Sequence, residues 1–262
     1  MSVASCMLGR VLTAVLDVLL PRPCVGCGAA GAALCDACLA PLVAPEPRTP
    51  SPRPAGLPAC WSAAWYEGPL RRAVIAYKER AQTGLAVPLA ALLAMTVASA
   101  LGAGRPIEGP FAVVPVPSAR RALRSRGHDP MGRLAELAVQ ALARLGRPAV
   151  LWRALTPARR VADQAGLGAA ERAANLAGSL RVTARPAGPT GTRAAGAPIA
   201  LHGHGTDNFR TPGTPGTPRM PVVLVDDLVT TGATLAEAAR ALREQGWDVT
   251  CAATVAATRR RS

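Results

Sequence analysis

Residues Val222 to Leu235 read V-V-L-V-D-D-L-V-T-T-G-A-T-L. Four apolar residues in a row have the pattern of a strand buried on both faces, as in a parallel sheet. Two carboxylates, Asp226 and Asp227, close that strand, and the small polar turn Thr230 to Thr234 leads into an amphipathic stretch with helical spacing, Ala233 to Gln245. The carboxyl end of a parallel strand is where open α/β sheets bind ligands. Paired carboxylates accept hydrogen bonds from two cis hydroxyls, and backbone N–H groups of a small turn converge on a phosphate. The start of the following helix faces the same anion with its positive dipole end. Gly232 allows close backbone approach. One loop of this composition has the groups to hold both ends of a ribose 5-phosphate.

Two other readings compete with this one. An ordinary strand, turn and helix would share the hydrophobic pattern but has no need of the acidic pair or of T-T-G-A-T. A nucleotide-hydrolase strand also ends in aspartate, yet it requires a G-x-x-x-x-G-K-[ST] loop elsewhere. The chain has a single lysine, Lys78, followed by Glu79, so that loop is absent.

Near the amino end, Cys24, Cys27, Cys35 and Cys38 form C-x2-C-x7-C-x2-C with interspersed glycines. Two such knuckles supply four thiolates to a closed tetrahedral site, and Zn²⁺ in a structural role is the usual occupant. A pair of disulfides would suit a small secreted protein, but no secretory signal precedes these residues. Cys6, Cys60 and Cys251 carry no pattern that implies chemistry.

The 262 residues suffice for one α/β domain and a small metal module. Aromatic residues make up only 3%, so the core must be built from Ala, Val and Leu. The net charge of +14 suits polyanion partners, diphosphates or nucleic acid. The abundance of Ala, Gly, Pro and Arg has the look of base composition, and stacking aromatics are scarce for a nucleic-acid binder. Residues 1 to 20 show an apolar helical pattern interrupted by Arg10 and Asp17, which predicts an amphipathic helix and no membrane span. A cytoplasmic location is the corresponding expectation.

These signals divide the chain into an amphipathic helix with the four-cysteine zinc module (1–40), a proline-rich extended linker (41–59) and a main domain (60–258). Within the main domain, Arg185 to Pro218 is low in complexity and expected to be disordered. Helical spacing marks Leu70 to Tyr77, Val87 to Leu101 and Pro130 to Leu145. Short strands are expected at Phe111 to Val116, Ala149 to Trp152 and Asp248 to Ala256, giving a mostly parallel sheet with helices on both faces.

The segment Val222 to Leu235 resembles the 5-phosphoribosyl-1-pyrophosphate (PRPP) signature of type I phosphoribosyltransferases. Further segments narrow the resemblance: L-D-V-L-L-P-R-P-C-V-G-C-G (16–28), Y-E-G-P-L with Lys78 (66–78), P-V-P-S-A-R-R-A-L-R-S-R-G-H-D (115–129) and Q-A-G-L followed by E-R-A-A-N (164–175). In this order they are similar to the ComF family, late-competence proteins related to amidophosphoribosyltransferases. The resemblance implies that Asp226, Asp227, Val229, Thr230, Thr231, Gly232, Ala233 and Thr234 bind PRPP. It implies that Arg124, Arg126 and Lys78 grip the departing diphosphate beside Val114 to Val116, with Mg²⁺ accompanying the substrate. The acceptor is not implied, and His128 and Asp129 replace the family's Phe-Asn, as Val161 replaces a threonine. Arg160, Gln164, Arg172 and Asn175 have helix-capping or packing roles as ready explanations. A second reading follows from the same likeness: a DNA-uptake factor that contacts single-stranded DNA or DNA-uptake proteins through its basic surface, with or without turnover of PRPP.

Overall fold

A computed structural model describes residues 23–104, 107, 109–117, 129–159, 169–183 and 220–259, with backbone alone at 169, 170, 172 and 173. Arg124, Arg126, His128, Arg160, Val161, Gln164, the expected helix of residues 1–20 and the low-complexity stretch lie outside the described residues.

Six strands form the main sheet: β1 (Glu46–Pro47), β2 (Ala59–Trp65), β3 (Phe111–Pro115), β4 (Ala149–Leu151), β7 (Val222–Val229) and β8 (Val249–Ala257). A two-stranded sheet pairs β5 (Leu155–Pro157) with β6 (Leu180–Val182). The main order is β1-β2-β8-β7-β3-β4, parallel throughout except for the β1–β2 edge pair. Val222 to Val225 are fully buried at its centre, as expected for a strand covered on both faces.

The helices are α1 (Asp36–Leu39), α2 (Gly68–Glu79), α3 (Ala86–Ala103), α4 (Pro130–Arg144), α5 (Ala169–Leu176) and α6 (Ala233–Glu244). On one face, α2, α3 and α4 pack with Phe111, Val113, Val223 and Val225 in a single apolar cluster. On the other, α6 buries Leu235, Ala238 and Leu242 against Ala112, Leu224 and Ala252. Small alanines at these contacts bring helix and sheet close, which is how a chain with few aromatics still fills its core.

Among the described residues one helical stretch, Thr83–Ala103, is long and apolar enough to cross a membrane. It contains no charged residue, and about half of its residues are buried within this fold, so here it serves as the central core helix.

The proline-rich segment departs from the extended linker expected for it. Leu42 and Leu57 are buried, β1 pairs with β2, and Arg48 is 7% exposed with its guanidinium donating to Ser62 O and Glu46. Prolines are tolerated here because β1 is an edge strand, where missing N–H donors cost no ladder bonds. The cysteine module likewise joins the main core: Cys24 and Leu34 belong to the cluster built by α2 and α3.

Candidate functional site

Chain direction fixes where a ligand can enter. From β3 the chain passes through α4 to β4 on one side, whereas from β7 it passes through α6 to β8 on the other. The carboxyl ends of β3 and β7 therefore flank a topological switch point, the crevice that open parallel sheets use for ligands. Pro115 pairs with Val225, and Val116 N–H donates to Val225 O at 2.9 Å, so the chain leaves β3 directly beside Asp226.

Asp226 and Asp227 occupy the end of the buried run. Asp226 accepts the backbone N–H of Asp227 at 2.9 Å. Burial and the neighbouring Asp227 charge push its carboxyl up to about 8, against the pull of Lys78 and of that N–H. Asp227 is 6% exposed and meets Lys78 from the last turn of α2, with Nζ at 2.7 and 2.8 Å from its two carboxylate oxygens. Residues 149 positions apart are thus joined at the mouth of the crevice.

The turn that follows is open toward solvent at Thr230 and half-buried at Thr231 and Thr234. Gly232 has φ +75° and is the N-cap of α6, so no side chain caps that helix. First-turn N–H groups of a helix have no acceptor within it, and the local contact among the described residues is a 3.4 Å approach of Ala233 N–H to Thr231 Oγ1. The result is a cluster of donors at the positive end of a twelve-residue helix, next to two carboxylates. A Cβ at Gly232 would also meet Leu57 Cδ2 at 2.9 Å and Pro50 Cγ at 3.2 Å. Glycine is therefore required here by backbone conformation and by the proline-rich segment packed on it.

Asp129, one of the departures from the family pattern, has a structural account. It is the N-cap of α4, accepting Gly132 N–H at 3.0 Å and the Arg153 guanidinium at 3.0 Å. Asparagine and aspartate are equivalent in that capping role. Asn175 lies in α5, and its carbonyl accepts Arg159 Nη2 at 2.8 Å, a packing contact.

The four knuckle sulfurs all lie within 4.8 Å of one another, with Cys27 and Cys35 at 3.5 Å. Tetrahedral Zn–S bonds of about 2.3 Å imply sulfur edges of roughly 3.8 Å, so this donor set fits a four-coordinate ion. Gly26 N–H and Cys35 N–H each donate to Cys24 Sγ at 3.3 Å. Burial works against the Cys24 thiolate, but N–H donation from Cys35, Cys27 and Gly26 outweighs it and lowers the thiol to about 6. Cys38 is pushed up to about 12 by burial and by the neighbouring sulfurs. A Cβ on Gly26 would stand 2.5 Å from Cys38 Sγ, which explains the glycine inside the first knuckle.

Sequence reasoning missed three residues that hold these sites together. Arg72 of α2 donates from Nε to Val25 O at 2.9 Å and from Nη2 to Gly26 O at 2.7 Å, clamping the first knuckle. Tyr77, beside Lys78, donates to Pro130 O at 2.9 Å and so pins the start of α4. Buried Glu237 of α6 accepts Leu180 N–H at 3.0 Å and Arg240 at 2.7 and 2.8 Å, tying the small β5–β6 sheet to the helix that follows the Thr230 to Thr234 turn. None of these belongs to a recognisable motif, because each bond spans elements that only the folded chain brings together.

Comparison with known proteins adds one finding. A protein-family model described as the phosphoribosyl transferase domain matches residues 149–262, the part that holds β4 to β8, Asp226, Asp227 and the T-T-G-A-T turn. The match covers β4, β7 and β8 of the mostly parallel main sheet, whose phosphoribosyltransferase-like architecture has helices on both faces. A search of curated proteins found no match.

Proposed function

We propose that this chain is a PRPP-binding, phosphoribosyltransferase-like protein of the ComF type, which transfers phosphoribosyl from PRPP to an acceptor. The observation that carries the reading is the acidic pair at the end of β7 joined to an uncapped, glycine-started helix at the sheet's switch point. In this reading the N–H groups of Thr230 to Thr234 and the threonine hydroxyls hold the 5-phosphate, with Val229 closing the apolar wall behind them. Asp226 and Asp227 accept hydrogen bonds from the ribose 2- and 3-hydroxyls, which fixes the ring and its anomeric carbon. Lys78 reaches the departing diphosphate as a compact point charge, and Arg124 and Arg126 grip it with planar donor forks.

The adjacent carboxylates offer the hard oxygen donors that Mg²⁺ takes, and when bound with substrate this ion would neutralise diphosphate charge as the C–O bond breaks. Positive charge that develops on the ribose ring is stabilised by the Asp227 carboxylate nearby. The four cysteines hold Zn²⁺ structurally, since all four positions of the tetrahedron are protein thiolates and none is open to substrate.

The test is ³¹P NMR of PRPP with Mg²⁺ and substoichiometric protein. All three phosphorus resonances should broaden, and Gly232→Val should restore sharp lines. Unbroadened spectra with folded wild type would refute the reading.

A second reading, contact with single-stranded DNA in uptake, draws on one local feature. Exposed Arg259, just past β8, lies 4.9 Å from the ring centroid of Trp65 at the end of β2, in a chain of net charge +14. DNA affinity that falls steeply with salt, and whose salt slope shrinks in an Arg124→Ala, Arg126→Ala variant, would support it. Salt-independent or absent binding would exclude it.

A further inference from the structure

Lys78 stands out on three independent grounds. It is the single lysine among 30 basic residues, in a chain that otherwise uses arginine everywhere. Its ammonium touches both oxygens of Asp227, at 2.7 and 2.8 Å, on the carboxylate expected to receive a ribose hydroxyl. And the pair is asymmetric: the Asp227 side chain is 9% exposed, whereas the lysine side chain is 27% exposed and sits in the last turn of α2.

These facts fit a cation that changes partner. An arginine at this position would hold the carboxylate in a rigid two-point fork, while an ammonium on a four-carbon stem rotates freely and gives up one anion for another. Without any cation, two adjacent carboxylates at a buried strand end would repel each other. With Lys78 in place one of the two carboxylate charges is balanced, and both Asp227 oxygens accept from the ammonium in competition with a diol or a divalent ion.

We propose that Lys78 is a resident counter-cation, which holds Asp227 until a ribose diol arrives with its divalent cation and then moves to a phosphate oxygen. This rests on the PRPP reading for the identity of the incoming ligand, but the exchange itself makes a separate prediction of unusual sign. Removing the lysine charge should weaken binding of PRPP with Mg²⁺ and strengthen binding of a divalent cation alone, because the cation no longer competes with the ammonium.

The experiment compares wild type, Lys78→Met and the double variant Lys78→Met, Asp227→Asn at pH 8. Mn²⁺ binding is read by electron paramagnetic resonance without PRPP, and PRPP binding with Mg²⁺ is read by calorimetry. Circular dichroism melts establish folding, and Lys78→Gln replaces Lys78→Met if the latter does not fold. Lys78→Met should bind Mn²⁺ about tenfold or more tightly than wild type, on the order expected from losing one competing charge at this distance. The double variant should lose that gain, and PRPP affinity should fall in both. A folded lysine variant whose Mn²⁺ affinity is unchanged or weaker would overturn the exchange. If wild type fails to bind PRPP, the functional reading falls, and the Mn²⁺ comparison still decides the role of Lys78.

Discussion

Leu57 Cδ2 stands 2.9 Å from the place where a Cβ would sit on Gly232. The turn Thr230 to Thr234 is therefore backed by the proline-rich segment, whose own position is fixed by Arg53 Nη2 donating to Leu57 O at 2.7 Å and by Arg243 reaching Gly56 O. Gly232→Ala combines a left-handed φ of +75° with this contact. Its cost should be about 1–3 kcal/mol in stability, measured by urea unfolding. Leu57 is itself buried, so Leu57→Ala alone should cost about 2–5 kcal/mol. In a double-mutant cycle the added cost of Gly232→Ala should be smaller in the Leu57→Ala background, where the contact is relieved and the backbone strain alone remains.

Asp226 gives a pH prediction of definite sign. Its folded carboxyl is raised to about 8 from the ordinary 3.8, so between these values the folded protein binds the proton more tightly than the unfolded chain. Stability from this group is present at low pH and lost as pH rises from about 4 to about 8. Thermal melts in Mg²⁺-free buffer should show Asp226→Asn stabilised relative to wild type at pH 8, with the difference shrinking toward pH 4. The same substitution should abolish PRPP binding. Equal melting temperatures across this range would contradict the assignment.

Glu237 predicts the opposite slope. Burial raises its carboxyl, but Arg240 and the Leu180 N–H more than compensate and hold it below the usual glutamate range. Its contribution is present above the unfolded glutamate value and lost as pH falls through the depressed folded value. Glu237→Gln should cost about 1–3 kcal/mol at pH 7, because the buried network loses its charge and one of its two acceptor oxygens. The gap between variant and wild type should narrow in acid unfolding experiments, whereas a gap that widens would refute the network.

The knuckle makes a prediction about metal. Cys38, pushed up to about 12, must lose its proton to coordinate an ion. Metal affinity should accordingly rise from pH 6 to pH 8, as read by competition with a chelator. Arg72→Ala removes both bonds to the knuckle carbonyls and should weaken zinc binding about tenfold or more, in line with the effect of residues that orient metal ligands. Unaltered affinity in that variant would show that the clamp is dispensable.

Much of this arrangement is legible in the chain because it depends on local pattern. The apolar run Val222 to Val225, the Asp226–Asp227 pair and Gly232 announce a strand, an acid pair and a left-handed turn within a dozen residues, and two C-x2-C spacings announce a knuckle. Segments at 70–77, 87–101 and 130–145 read as helices because their apolar spacing is unambiguous. What stays hidden depends on long-range packing. Proline content makes residues 41–59 read as a linker, although an edge strand has no use for the missing N–H groups and β1 forms there. The β5 and β6 strands are three residues each, too short to show a period. The ion pair of Lys78 with Asp227 and the Arg72 clamp join distant parts of the chain, and no local signal encodes such a meeting.

The central claim is that the end of β7 and the turn after it bind PRPP. Calorimetric titration of PRPP with Mg²⁺ into the purified protein tests it most directly, alongside an Asp226→Asn, Asp227→Asn variant shown to be folded. The account predicts saturable binding with one site per chain in wild type and none in the variant. No heat of binding to folded wild type, or equal binding by both proteins, would contradict it.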